Sequence, residues 1–325
     1  MFCNINVDYV VFFYLFCSYK PNRLTQNMKR TLKDYLLLML KGMGMGAADV
    51  VPGVSGGTIA FIVGIYDELI DSIKSINAES LKLFFTGKWA AFWNKINGNF
   101  LLFLLAGIGI SVFSLAKVIT WLLTDYPVLV WSFFFGLVLA STWFVGKDIK
   151  GWNWKTILGF ICGAVLAFYI TVATPAETPS NWLFIFFCGA IAICAMILPG
   201  ISGSFILVLL GKYFFIMDAV KTLDLVVIGI FGAGACIGIT SFSRVLSFAL
   251  KHFRNITLAV LTGFMLGSLN KVWPWKEVVD NTHGMAIETN VMPNQFVVEA
   301  IVLMVVGFFL VTFLEKLSSK KPAEK

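Results

Sequence analysis

At 325 residues the chain is long enough for about two soluble domains, but it is 58% apolar and only 13% charged. A soluble chain carries about 25% charged residues, so composition excludes that class and indicates a polytopic membrane protein. The formal net charge of +7 excludes nothing about the membrane and does not indicate a nucleic-acid partner. The lysines form no basic stripe; they fall between apolar segments, where they set orientation.

Residues 1–27 read as an extra N-terminal segment. The apolar run Tyr9–Cys17 is too short to span a bilayer. It also lacks the basic region and cleavage site of a signal peptide. Met28-Lys29-Arg30 would make a natural start, and a start codon placed too early is the expectation.

One heptapeptide occurs twice. Pro52-Gly53-Val54-Ser55-Gly56-Gly57-Thr58 returns 147 residues later as Pro199-Gly200-Ile201-Ser202-Gly203-Ser204-Phe205. Ala48/Ala195, Ile59/Ile206, Gly64/Gly211, Tyr66/Tyr213, Asp71/Asp218 and Lys74/Lys221 match at the same offset. A second set, from Ser114/Ser241 and Lys117/Arg244 through Gly136/Gly263 to Ser141/Ser268, lies 127 apart. The first half therefore carries about twenty extra residues, which fit the polar stretch Glu79–Gly98.

The expected fold is an all-α polytopic membrane protein of two inverted repeats, each a re-entrant helical hairpin plus three transmembrane helices. Repeat 1 (28–174) has its hairpin at 35–73 and helices at 100–123, 128–145 and 156–174. Repeat 2 (181–317) has its hairpin at 183–220 and helices at 225–250, 256–268 and 296–314; residues 318–325 form a basic cytoplasmic tail. Residues 35–73 are too long for one crossing, and Pro-Gly-x-Ser-Gly is a poor aqueous loop. A hairpin that dips into the membrane keeps its non-helical tip where protein or a water-filled cavity surrounds it. With both termini cytoplasmic, eighteen Lys and Arg residues fall inside and four outside, with Lys41, Lys117 and Arg244 within the membrane. That split obeys the positive-inside rule. Three crossings per repeat invert the second repeat, so the two tips should meet near the midplane.

A Pro/Gly/Ser break within an apolar segment, once per half, points to a transporter's binding site. At the tips, Gly53, Ser55, Gly56, Gly57 and Thr58, with Gly200, Ser202, Gly203 and Ser204, would offer backbone amides and hydroxyls to an anion. A bare tight turn with a serine cap would use the same residues. Lys117 and Arg244 sit at matching positions, about 9–10 Å from their helix ends. Intramembrane cations are functional candidates, unless they snorkel to the interface. Asp49 precedes the first tip, with Met196 at the matching place. It could pair with Lys117 or Arg244, carry a proton, or be a structural ion pair or cap. Lys41 could pair with Asp49 two turns away. Gly42 and Gly46 are spaced for close helix packing. Tyr66, Tyr213 and the stretches Trp152–Trp154 and Trp273–Trp275 read as interfacial anchors. No cofactor is called for, and the six cysteines show no metal spacing.

Gly53-Val54-Ser55-Gly56-Gly57 also fits the G-x-S-x-G pattern of a serine nucleophile. Such a serine needs a base. The two histidines, His252 and His283, lie in loops rather than at tip depth, so an intramembrane hydrolase using Ser55 is the weaker alternative. A transporter of another anion, such as phosphate or a small carboxylate, would show the same tips.

The block Gly42-x-x-x-Gly46-Ala47-Ala48-Asp49-Val50-Val51-Pro52-Gly53-Val54-Ser55-Gly56-Gly57-Thr58, with Gly64-Ile65-Tyr66 after it, resembles a bacterial membrane family once labelled a domain of unknown function. Its members are regarded as polyprenyl-phosphate (undecaprenyl-phosphate) transporters. The second tip and Gly263-x-x-Leu266-Gly267-Ser268 with Trp273-Pro274 are similar to that family too. The resemblance covers Met28 to about Leu317 and none of residues 1–27. It implies a flippase that returns the lipid carrier from the outer to the inner leaflet of the bacterial cytoplasmic membrane for cell-envelope synthesis. The implied partners are polyprenyl phosphate, membrane lipids and protons.

Overall fold

The computed structural model describes residues 30–51, 54–175, 178–280 and 287–319. Residues 1–27, the pair Pro52-Gly53 and the tail from position 320 lie outside the described residues.

The chain is helical almost throughout, and local chemistry sets most helix boundaries. Helix α1 (Leu32–Val50) starts at a capping box, in which Thr31 and Asp34 each accept from the other's backbone N–H. It stops at Val51, held extended (φ −87°, ψ 116°) because Pro52 follows. Two short helices come next, α2 (Gly56–Ile62) and α3 (Tyr66–Lys74), parted at Gly64 with φ +72°. The extra residues of the first half form α4 (Ala78–Phe85) and α5 (Trp89–Lys95). Glu79 and Lys95 pair across these two helices, and that hydrogen bond holds the Glu79 carboxyl below its ordinary range. Three long helices follow: α6 (Gly98–Asp125), α7 (Pro127–Lys147), with proline at its first position, and α8 (Trp154–Val172), capped by Asn153.

The second half repeats this order. Helix α9 (Trp182–Ile197) is capped by Asn181, and α10 (Gly203–Leu209) and α11 (Tyr213–Thr222) meet at a bend of 111°. Gly211, with φ +62°, occupies that bend. Then come α12 (Leu225–His252), capped by Asp224, and α13 (Arg254–Ser268). A small antiparallel hairpin, β1 (Lys276–Asp280) with β2 (Ile287–Asn290), precedes α14 (Val297–Ser319). The sequence reading took each second arm as one piece and missed this β-hairpin. In both halves the arm is instead split, at Gly64 and at Gly211.

By length and composition four helices among the described residues can cross a membrane: α6 over Gly98–Leu115, α7, α8 and α12. The bent pair α10–α11 would make a fifth, and α9 and Val297–Phe313 are shorter apolar helices. Leu105, Phe113, Val165, Tyr169, Val245 and Phe309 stand exposed on these helices, as lipid-facing side chains do. The chain is a multi-pass α-helical membrane protein.

Four helix pairs carry the packing, and they are joined through glycines. α1 packs on α6, where a Cβ at Gly42 would meet the Leu104 carbonyl and one at Gly107 the Met39 carbonyl. α9 packs on α12 in the same way through Gly189 and Gly234, the positions that match Gly42 and Gly107 at the two offsets. The other two pairs cross between the halves. α7 meets α14 through Gly136 and Gly307, and α8 meets α13 through Gly163, Gly263 and Gly267. Lipid offers no hydrophobic drive for helices to associate, so close backbone approach at small residues is what joins them.

Gly136→Val should therefore destabilise the protein by about 1–3 kcal/mol, because its Cβ would run into the Met304 backbone. Gly109→Val, which meets nothing within 4 Å, should leave stability nearly unchanged. Thermal unfolding in detergent, followed by size-exclusion chromatography, compares the two.

Candidate functional site

The two tips interlock. At the first, Asp49 Oδ1 accepts from the Gly56 N–H at 2.7 Å and Ser55 Oγ accepts from the Gly57 N–H at 3.1 Å. The Thr58 N–H closes on the Ser55 carbonyl at 2.9 Å. A Cβ at Gly56 would clash with the Asp49 carboxylate, and one at Gly57 with the Ile197 carbonyl. At its other end α2 receives the Lys41 Nζ, which donates to the Val63 carbonyl at 2.9 Å from a side chain only 2% exposed. A carboxylate at the N-terminus and an ammonium at the C-terminus both complement the helix dipole. Asp49 and Lys41 are thus built into the first tip, and Asp49 is engaged there rather than with Lys117 or Arg244. Gly53 lies outside the described residues.

At the tips, three side chains of the first half reach the second. Ser55 Oγ donates to the Met196 carbonyl at 2.9 Å, and Tyr66 Oη to the Ile197 carbonyl at 3.2 Å. Thr58 Oγ1 accepts from the Gly200 N–H at 3.0 Å. Gly200 holds φ +88°, and a Cβ there would press on the Met265 backbone. Tyr66, only 2% exposed, is an internal strut and not the interfacial anchor its position implied. The end of α9 would otherwise leave carbonyls unsatisfied in a buried place.

The second tip is built differently. Ser202 precedes α10 but makes no cap; its hydroxyl pairs with that of Ser204 at 2.8 Å. Gly203 presses against the Ala192 carbonyl, as Gly56 does against Asp49. Cys188 and Met196 hold the places of Lys41 and Asp49, so the second short helix has neither charge. It lies close to Lys212, 5% exposed, whose Nζ donates to the Thr178 carbonyl and Ser180 Oγ beyond.

Lys117 and Arg244 are not brought to the tips. Both are exposed on the long helices α6 and α12, with no hydrogen bond or ion pair among the described residues. Lys117 lines a shallow cleft of about 470 Å³ with Thr120, Trp121, Thr124 and Asp125.

Matching faces of the two halves differ at the rim. α3 docks on the end of α12: Asp71 pairs with Lys251 at 2.8 Å and accepts from Ser247, and Asp67 pairs with Arg254 at 3.2 Å. Arg30 and Asn97 both bind Glu68 on the same helix. In the other half α11 makes no comparable contact with α6, and Asp218 is exposed. The places of Ser247 and Lys251 are there taken by Thr120 and Thr124, which line the open cleft.

In the segment after α13 the sequence singles out Trp273–Trp275 but neither Lys271 nor Val272. Val272, fully buried, packs with Ala48, Val51 and Val54 of the first tip. Lys271 Nζ stands 4.8 Å above the Phe205 ring of the second tip. Trp273 and Trp275 donate to the Val291 and Gln295 carbonyls, so they pin this strap rather than form an aromatic belt. Trp152 and Trp154 are exposed.

Repeated breaks that lock together inside a multi-pass helical body are the construction of a membrane transporter. The chain belongs to the VCA0040-like family, described as undecaprenyl phosphate translocase-like, whose model matches residues 45–289. It is 47% identical over 302 residues to a polyprenyl-phosphate transporter of Vibrio cholerae serotype O1, covering 88% of this chain and 98% of that protein. It is 30% identical over 257 residues to a polyprenyl-phosphate transporter of Staphylococcus aureus, covering 73% of this chain and 85% of that protein. The family and both relatives are named for transport, not for an enzymatic reaction. No solved structure matches the chain significantly.

Thr58→Val keeps shape and removes the acceptor of the buried Gly200 N–H. It should cost about 1–3 kcal/mol, read as a lowered unfolding temperature. An unchanged temperature would mean that the two tips do not depend on this bond.

Proposed function

We propose that this chain moves polyprenyl phosphate across the bacterial cytoplasmic membrane, from the outer leaflet to the inner, for cell-envelope synthesis. The observation that supports this reading is the meeting of two broken helices at one place, joined with kinship to proteins named for that substrate. The phosphate is taken by the second tip. Its serine hydroxyls are spent on each other rather than on a helix cap, so they can turn to a headgroup at little cost. The first tip, closed by Asp49, Lys41 and Ser55, serves as the rigid wall beside it. Its glycines and Thr58 shape that wall rather than bind phosphate directly. Most of the prenyl tail stays in lipid.

In this reading the repeats are inverted and both hairpins are re-entrant, with both termini cytoplasmic. Lys117 then lies toward the outer leaflet and Arg244 toward the inner, as exposed way-stations for an anionic headgroup. The ion pairs of α3 with α12 and α13 latch the cytoplasmic rim, while the cleft at Lys117 stands open on the other. Rocking of one repeat against the other exchanges the two conditions, and protons are the candidate coupling ion.

Proteoliposomes holding a fluorescent polyprenyl phosphate test this, with quenching from outside reporting the leaflet. The wild type should move the lipid, and excess inorganic phosphate should not compete. The Ser202→Ala/Ser204→Ala pair should slow transport about tenfold or more while unfolding at the same temperature. Wild-type protein that leaves the lipid in place, or that yields to inorganic phosphate, would remove the assignment. In a background without native cysteines, a bis-maleimide joining Asp71→Cys to Lys251→Cys should arrest transport. Undiminished transport in the cross-linked protein would show that this rim does not open.

A further inference from the structure

Across α13 from the second tip lies a groove that the transport reading leaves unused. It runs between α8 and α13, is lined by Ala164, Val165, Phe168, Leu266, Gly267 and Asn270, and measures about 350 Å³. Its walls are almost wholly apolar except at one end, where Asn270 sits, hydrogen-bonded to Thr171 at 2.8 Å. The groove exists because α8 and α13 approach through glycines. A Cβ at Gly267 would meet the Ala164 carbonyl, and small residues on both helices leave a furrow in the surface that faces lipid.

The polar end of the furrow leads to charge. Lys271 is the next residue after Asn270, and its ammonium lies over Phe205, the residue after Ser204. Its carbonyl accepts from Lys276 Nζ at 2.8 Å, and Lys276 lies 4.1 Å over the Trp131 ring. Two ammonium groups thus stand on one short strap whose Val272 is sunk against the first tip. On the far side of the same helix, Met265 abuts Gly200. An apolar furrow, an amide and hydroxyl pair near its end, and a cation one residue on match an amphiphile with an anionic head and a hydrocarbon chain.

We propose that this furrow is the lipid-tail site: the first prenyl units of a phosphorylated lipid lie between α8 and α13, and Lys271 draws the phosphate onto Ser202 and Ser204. Lys271 is then the specificity residue that sequence spacing did not reveal, since position 144 in the first half, its match at the 127-residue offset, is phenylalanine. The inference rests on the transport reading above, and deepens it by assigning where tail and head are held.

The test uses the full chain in nanodiscs, with a photoactivatable polyprenyl phosphate as probe and inorganic phosphate as a head-only competitor. Val165→Trp fills the furrow from a position 62% exposed, so the fold tolerates it. It should lower labelling of the furrow and lipid affinity about tenfold. Lys271→Gln should weaken the phosphorylated lipid about tenfold and leave binding of the matching prenyl alcohol unchanged; Lys271→Arg should restore it. Both variants binding and transporting the lipid as the wild type does would overturn the site while leaving the transport reading in place. Wild-type protein that neither binds nor moves the lipid would overturn both.

Discussion

The constraint on which this structure depends is the hydrogen-bonding need of a backbone that breaks off inside a membrane protein. Each break frees N–H and carbonyl groups that hydrocarbon cannot satisfy. The first tip answers from within: Asp49, Ser55 and Lys41 occupy both ends of α2. The end of α9 is answered from the other half, by Ser55 and Tyr66 on its last carbonyls and by Thr58 on Gly200. The two halves are therefore joined, among other places, where each backbone is least able to stand alone.

Around that joint the body is made of stiff pairs. α1 with α6 and α9 with α12 stay within a half, while α7 with α14 and α8 with α13 cross between halves. All four use glycines set against a facing carbonyl, which leaves little play across each contact. At the rim, by contrast, exposed ion pairs hold α3 to α12 and α13. Exposed pairs of this kind are individually weak, which suits a contact that forms and releases.

The difference between the tips is as informative as their likeness. Two closely matching heptapeptides yield a self-satisfied tip in one half and an uncapped one in the other. The cause lies partly within them, in Gly57 against Ser204 and Thr58 against Phe205, and partly outside, in Asp49 against Met196 and Lys41 against Cys188. One copy becomes the frame, and the other keeps its polar groups available.

Much of this was legible in the chain. Composition determined a polytopic helical membrane protein, and the repeated heptapeptide placed two breaks and matched the halves helix by helix. These features are local or periodic, and hydrocarbon leaves few other ways to satisfy them. The Gly64/Gly211 match carried the signal for the second bend, but a lone glycine in an apolar run does not say whether it bends or packs. Tertiary structure alone decided which partner each tip group found. It sank Tyr66 and Trp275 into the interior, left Lys117 and Arg244 on open faces, and laid Lys271 over Phe205. Tyr66 and its carbonyl are 131 positions apart and Lys271 and its ring 66, and no spacing along the chain encodes which distant carbonyl or ring will be the neighbour.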